Sequence, residues 1–95
     1  ILHDEAGLRV TLLADVAAIR VCEVRCERGV DATTQAHPGH IQSFYVLAGE
    51  MALRIGDRDL RAPAGAWIAL PAARPYAVSA CDAAVRYLDL RAPAG

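Results

Sequence analysis

The chain has 95 residues, of which 55% are hydrophobic, and its formal net charge is −1 at pH 7. This length predicts one domain, residues 1–95, with a core no larger than one small barrel or two packed sheets. The balanced charge excludes the basic surface that binds nucleic acid or an anionic membrane, so we expect neither partner.

The N-terminal part of the chain predicts strands, although its alanine and leucine content would also permit a helix. Residues 9–13 form a short β-rich run, and residues 18–26 alternate apolar and charged side chains. Neither face of the second run is purely apolar. Its β-branched residues and the stop at Gly29 favour a strand over a helix.

Glycine and proline divide the rest of the chain into short β-rich runs. The predicted strands are residues 43–48, 51–55, 58–61, 66–70, 76–79 and 84–90. The Gly56-Asp57 pair predicts a hairpin between the second and third of these runs. Short strands about ten residues apart, separated by such turns, are typical of an all-β sandwich or barrel.

Two features bear on the compartment of the protein. The longest uncharged stretch, residues 62–73, is interrupted by proline and glycine and cannot span a bilayer. If residues 18–26 form a strand, the Cα atoms of Cys22 and Cys26 lie about 13 Å apart. A disulfide requires Cα atoms within roughly 7 Å, so these two cysteines cannot form one. With Cys81 the number of cysteines is odd. We therefore expect reduced thiols and a cytoplasmic protein.

Two spaced motifs carry the strongest signal. They run Gly29-x5-Gln35-x-His37-x4-Gln42-x6-Gly49 and Gly65-x5-Pro71-x-Ala73-x2-Tyr76. Their spacing resembles the two signature motifs of the cupin family, and Phe44-Tyr45-Val46-Leu47-Ala48-Gly49-Glu50 resembles a segment of its small single-domain members. The resemblance covers essentially the whole chain. It implies an all-β fold, a cupin-type jelly-roll β-barrel of two antiparallel sheets with a pocket in the barrel mouth.

The resemblance also implies a metal site whose ligands have changed. In the family pattern, the positions of Gln35, His37, Gln42 and Tyr76 would be His, His, Glu and His, and they hold a divalent metal. Only His37 remains a good ligand, because amide oxygens bind transition metals poorly and a phenol must first lose its proton. We therefore assign no cofactor. A divalent metal (Fe, Mn, Ni, Cu or Zn) stays an alternative, with His37, His40 and Gln42 as its candidate ligands.

Without a metal, the same positions predict a pocket that hydrogen-bonds a small molecule. The candidate ligand-binding residues are Gln35, His37, Gln42, Phe44 and Tyr76. His37 and Tyr76 are also candidate catalytic residues, as an imidazole that titrates near neutrality and a phenol that donates a proton. The prediction is a small-molecule-binding cupin. The alternative is a metal-dependent oxygenase or isomerase, and whether the protein is an enzyme stays open.

Further expectations concern side chains outside the ligand positions. Trp67 is predicted to be a core residue, with the pocket wall as the alternative, and Tyr45 and Tyr87 are predicted to pack on strands. Arg74 is placed at the pocket rim, and His3 is placed in a disordered N-terminus with no role. A third alternative is a structural or interaction role. The resemblance implies pairing through β-strands, and the apolar composition fits an exposed face that needs a partner, so we expect a homodimer.

Overall fold

In a computed structural model, the chain folds into strands joined by turns. The structure describes residues 3–5, 7–16, 19–29, 31–35, 41–70, 75–81 and 83–92. Its strands are β1 (His3–Glu5), β2 (Leu8–Val16), β3 (Ile19–Cys26), β4 (Asp31–Gln35), β5 (Ile41–Ala48), β6 (Glu50–Ile55), β7 (Arg58–Pro63), β8 (Trp67–Leu70), β9 (Pro75–Ala80) and β10 (Val85–Ala92). Every regular element in these ranges is a strand, so the all-β prediction is confirmed. Nowhere in them is there a helix that could cross a membrane.

The strands build two antiparallel sheets. Within the described ranges, one sheet has the order β1-β2-β3-β10-β5-β8 and the other the order β4-β9-β6-β7. Their inner faces share one core, which comprises Val24, Cys26, Phe44, Val46, Met51, Leu53, Ala62, Leu70, Tyr76, Val78, Ala80, Val85 and Tyr87. Since both sheets supply side chains to this cluster, they pack face to face, as the predicted jelly roll requires.

Two turns are built on glycine. Ile55 pairs with Arg58, so β6 and β7 form the hairpin that the Gly56-Asp57 pair predicts, with Gly56 at a φ of 61°. Gly49 joins β5 to β6 at a φ of 81°, and a Cβ there would lie 2.5 Å from the carbonyl oxygen of Ala84. Both the backbone angle and this close approach exclude a side chain at position 49.

Two strands differ from the sequence-based prediction. His3 belongs to β1, where it pairs with Val10, so the expectation of a disordered N-terminus at this residue is wrong. The sequence does not predict strand β4, because Asp31–Gln35 is polar and rich in threonine and shows no apolar alternation. Both strands lie at the edges of their sheets, where less apolar surface is required.

The inner face of the barrel has an apolar end and a polar end. The apolar end, which we call the closed end, is formed by Cys26, Val46, Met51 and Val85, all 0% exposed. The polar end, which we call the mouth, is formed by Arg20, Gln42, Tyr76, Asp89 and Arg91. The cysteines form no disulfide, as the sequence predicts.

Candidate functional site

Strand β5 carries a polar side chain into the mouth. Its burial alternates, so that Gln42, Phe44 and Val46 face inward at 2%, 1% and 0% exposure. The outward neighbours Ile41 and Tyr45 are less buried. This is the period of two that the sequence predicts for an inward-facing Gln42.

The Gln42 amide links the two sheets across the mouth. Its Nε2 atom donates one hydrogen bond of 2.9 Å to the Tyr76 hydroxyl oxygen and another of 2.9 Å to Oδ1 of Asp89. Tyr76 lies on β9 in the opposite sheet and is 5% exposed. Two positions that would be metal ligands in the family pattern are therefore hydrogen-bonded to each other.

Asp89 is a site residue that the sequence analysis missed. It lies on β10, between β3 and β5, and its side chain is 16% exposed. Burial raises the pKa of its carboxyl group, while the Gln42 hydrogen bond and the Arg91 charge lower it. The alternation along β10 could have indicated this residue. Val85, Tyr87 and Asp89 lie on the same face of the strand, and the first two are buried.

Two arginines complete the mouth. Arg91 lies two residues after Asp89 on the same strand, with its guanidinium nitrogen 3.8 Å from the Asp89 carboxylate. Arg20 on β3 pairs with Asp15 of β2 at 3.2 Å. The Cys22 thiol lies among these charges, and its pKa is raised by burial and by Asp89 and lowered by the arginines. Cys22 is therefore a buried thiol held in its neutral form.

Aromatic rings separate the mouth from the closed end. Phe44 contacts Tyr76 and Tyr87 edge to face, with ring centroids 5.5 Å and 5.1 Å apart. Burial raises the pKa of the Tyr87 phenol, so it stays neutral. The ring of Phe44 thus forms an apolar floor beneath the Gln42 amide.

Several predicted site residues have no described side chain. His37, His40 and Arg74 lie outside the described residues, and Gln35 is described only as the end of β4, opposite Pro75. The roles predicted for them stay predictions.

The prediction that Trp67 is a core residue or pocket wall is wrong. Its side chain is 60% exposed and contacts Tyr45, with ring centroids 5.7 Å apart. Trp67 and Ala69 take the outward phase of the short strand β8, while Leu70 is buried. Tyr87 is buried in the core, as predicted.

The described ligand positions do not fit a transition metal. Within the described ranges, no cluster of three or more His, Cys, Asp or Glu side chains could hold a metal ion. Gln42 turns its amino group, not its carbonyl oxygen, toward Asp89 and Tyr76. An amide nitrogen with its protons in place offers no lone pair to a cation. A cation between this amide and Asp89 would displace the hydrogen bond that joins β5 to β10 here.

The chain resembles known proteins in sequence pattern and in fold. The Cupin domain family matches residues 23–91. Among curated proteins, no sequence matches significantly. KdgF from Halomonas sp. superposes with a TM-score of 0.86 at 22% identity, over 98% of this chain and 88% of that one.

Two further structures show how widely this fold is used. TT1209 from Thermus thermophilus superposes with a TM-score of 0.85 at 19% identity, over 95% of this chain and 87% of that one. An HTH_3 family transcriptional regulator from Vibrio cholerae gives a TM-score of 0.82 at 16% identity, over 90% of this chain and 51% of that one. At such identities the likeness shows the jelly-roll fold alone.

Proposed function

The chain belongs to the cupin family, and on that premise we propose that it binds a small polar molecule at the mouth without a tightly held metal. The observation that carries this proposal is the buried Gln42 amide, which donates hydrogen bonds to both Tyr76 and Asp89. Two of the residues at the usual ligand positions, Gln42 and Tyr76, are thus hydrogen-bonded to each other.

The composition of the mouth supports binding of a polar ligand. Small-molecule sites combine apolar walls with a few polar groups that orient the ligand. Phe44 supplies an apolar floor, while Gln42, Tyr76 and Asp89 supply an amide, a phenol and a carboxyl group above it. A ligand with a ring or short carbon chain and one or two polar substituents fits this set.

The arrangement costs stability, which supports a role beyond packing. The carboxyl group of Asp89 is held inside the barrel against its hydration, as its raised pKa shows. A leucine or methionine at this position would pack the same space without that cost. A largely buried acid beside a buried amide is typical of binding and catalytic sites.

The proposal can be tested by NMR with a panel of small neutral and charged fragments. Binding at the mouth predicts chemical-shift changes of the Gln42 side-chain amide and of the Tyr76 and Asp89 backbone amides. Gln42→Leu should abolish the changes at the Tyr76 and Asp89 backbone amides for the fragments that cause them. Ser43→Ala, which alters the outward neighbour on the same strand, should leave them intact. Fragments that bind equally well to the Gln42→Leu protein, or that bind only elsewhere, would contradict the proposal.

One observation favours a second function, metal-free proton transfer at the same mouth. Asp89 has a raised pKa and is linked through Gln42 to the Tyr76 phenol, a pairing suited to general acid–base chemistry. The two functions separate in the Asp89→Asn variant. A binding protein retains ligand affinity with a neutral amide at position 89, whereas an acid–base enzyme loses turnover.

A further inference from the structure

The register of the larger sheet places two arginines side by side on the inner face. Arg20 of β3 is directly opposite Arg91 of β10, and Arg91 is directly opposite Gln42 of β5. Opposite residues of antiparallel strands carry their side chains on the same face, with Cβ atoms about 5 Å apart. Since Gln42 points into the mouth, both guanidinium groups start from the inner face next to it.

These two arginines lie close to each other, and each faces one aspartate. Two like charges on opposite residues repel each other. Arg91 is 3.8 Å from Asp89, at the long limit of an ion pair, and Arg20 contacts Asp15 through one terminal nitrogen. The Nε atom of Arg20 is buried and has no hydrogen-bond partner among the described residues. A buried donor that lacks an acceptor in the protein needs one from a bound water or a ligand.

We infer that Arg20 and Arg91 hold the carboxylate group of a small organic acid whose remaining atoms lie over Phe44 and contact Gln42. This inference rests on the proposed function and adds the chemical class of the ligand. A guanidinium group binds a carboxylate through two parallel N–H donors, and the free Nε–H of Arg20 is one such donor.

The charges around the pair favour a single negative charge on the ligand. Arg20 and Arg91 face Asp15 and Asp89, so the four side chains are close to neutral together. A carboxylate adds one negative charge to these four side chains. A phosphate adds nearly two at neutral pH and meets stronger repulsion from the two aspartates.

The test compares benzoate with benzamide, which have nearly the same shape and differ in charge. Affinities are measured by NMR titration at pH 7 and constant ionic strength, with inorganic phosphate as a third probe. We expect benzoate to bind about tenfold more tightly than benzamide and to shift the Arg20 Nε–H resonance. Arg20→Gln and Arg91→Gln should each reduce benzoate to the affinity of benzamide. Arg54→Gln, which removes an exposed arginine from the other sheet, should leave it unchanged.

The outcomes separate this inference from the proposed function. Equal affinities for benzoate and benzamide, both lost in Gln42→Leu, would overturn the carboxylate site and leave small-molecule binding at the mouth intact. Tighter binding of phosphate than of benzoate would overturn the assignment to a carboxylate. If none of the three probes binds and the fragment panel also fails, both proposals are wrong. The amide spectrum of each variant verifies that it is folded.

Discussion

The closed end and the mouth of this barrel are built by the same strands but differ in the polarity and burial of their side chains. On β10, Val85 is fully buried at the closed end, whereas Asp89 and Arg91 lie at the mouth with side chains 16% and 25% exposed. The alternation of the strand decides which side chains enter the barrel. Their distance along the strand decides whether they meet apolar or polar neighbours.

The difference shows which part of the cupin pattern this chain retains. Gly49, which belongs to the spacing of the first motif, lies at the closed end against Ala84. The ligand position Gln42 lies at the mouth, where it donates hydrogen bonds to Tyr76 and Asp89. The residues that specify the barrel and those that specify its chemistry are therefore separated in space, and each set can change without the other.

The largest effect is expected from truncation at the closed end. Met51→Ala removes a fully buried side chain, and we expect a loss of about 3 kcal/mol in the free energy of unfolding, measured by urea denaturation. Met51→Leu, which retains most of the volume, should lose less than about 1.5 kcal/mol. Fragment binding at the mouth should survive in Met51→Leu. A loss of fragment binding in Met51→Leu would show that the closed end and the mouth are coupled.

Two glycine substitutions, Gly49→Ala and Gly56→Ala, test the close contact between position 49 and Ala84. Gly49→Ala forces a Cβ atom to within 2.5 Å of the Ala84 carbonyl oxygen, so we expect a loss of about 2–3 kcal/mol in unfolding free energy. Gly56→Ala has a similar positive φ but nothing within 4 Å of its Cβ, so only the backbone cost of about 1 kcal/mol remains. Equal losses in thermal or urea unfolding would rule out the contact with Ala84 as the cause.

At the mouth, removing a charge should raise the free energy of unfolding, whereas the substitutions at the closed end lower it. Asp89→Asn retains an oxygen that accepts the Gln42 hydrogen bond but removes the buried carboxylate. Because burial raises the pKa of Asp89, we expect the variant to be more stable than the wild type at neutral pH, by about 1 kcal/mol.

The pH dependence of this difference follows from linkage. An aspartate in the unfolded chain titrates near about 3.9. Below that pH the carboxyl group is protonated in both states, and its contribution to stability is fully present. The contribution is lost as the pH rises through the higher folded pKa, because the folded state then holds an ion that it disfavours. The described groups that interact with Asp89 are Cys22, Gln42, Tyr87 and Arg91, and Tyr76 shares the Gln42 amide with it.

The measurement is urea denaturation of both proteins across this pH range. The stability gained by Asp89→Asn should grow from near zero in acid to its full value at neutral pH. A gain that does not change with pH, or a loss at neutral pH, would contradict the presence of a destabilising buried charge at the mouth.

The smallest effect on stability is expected on the outer face of the larger sheet. Trp67 is opposite Tyr45, Tyr45 is opposite Leu88, and Leu90 is opposite Val21, so these apolar side chains form adjoining rows. The homodimer expected from the sequence stays a prediction, and we propose this apolar patch, bordered by Glu23 opposite Leu88, as its interface. Trp67→Asp should change unfolding free energy by about 0.5 kcal/mol or less in the monomer, yet abolish the dimer in sedimentation velocity. Leu60→Asp, on the other sheet, is the control. A wild-type monomer would contradict the proposal.

Much of the fold could be predicted from the sequence, because turns and alternation are local. Most of the strands from β5 to β10 have glycine or proline on at least one side, and several of them alternate apolar side chains, so their positions follow from the chain itself. Strand β4 could not be recognised, because its stability comes from pairing with β9 rather than from an apolar period. The outward placement of Trp67 follows from the phase of a four-residue strand, which hydrophobicity alone does not set.

The site was predictable in part. The motif spacing indicated Gln42 and Tyr76, but the hydrogen bond between them joins residues 34 positions apart. That contact depends on how the two sheets curve toward each other, which no local pattern records. Asp89 lies outside the motif spacing, and only the phase of β10 marks it as inward-facing.

We propose that the mouth binds its ligand through hydrogen-bonding side chains rather than a metal. The most direct test is elemental analysis of protein purified without a histidine tag from cells supplied with Fe, Mn, Ni, Cu and Zn. We expect each metal to be present at well below one atom per chain after desalting. One atom of any of them per chain, lost in the Gln42→Leu variant, would contradict the claim.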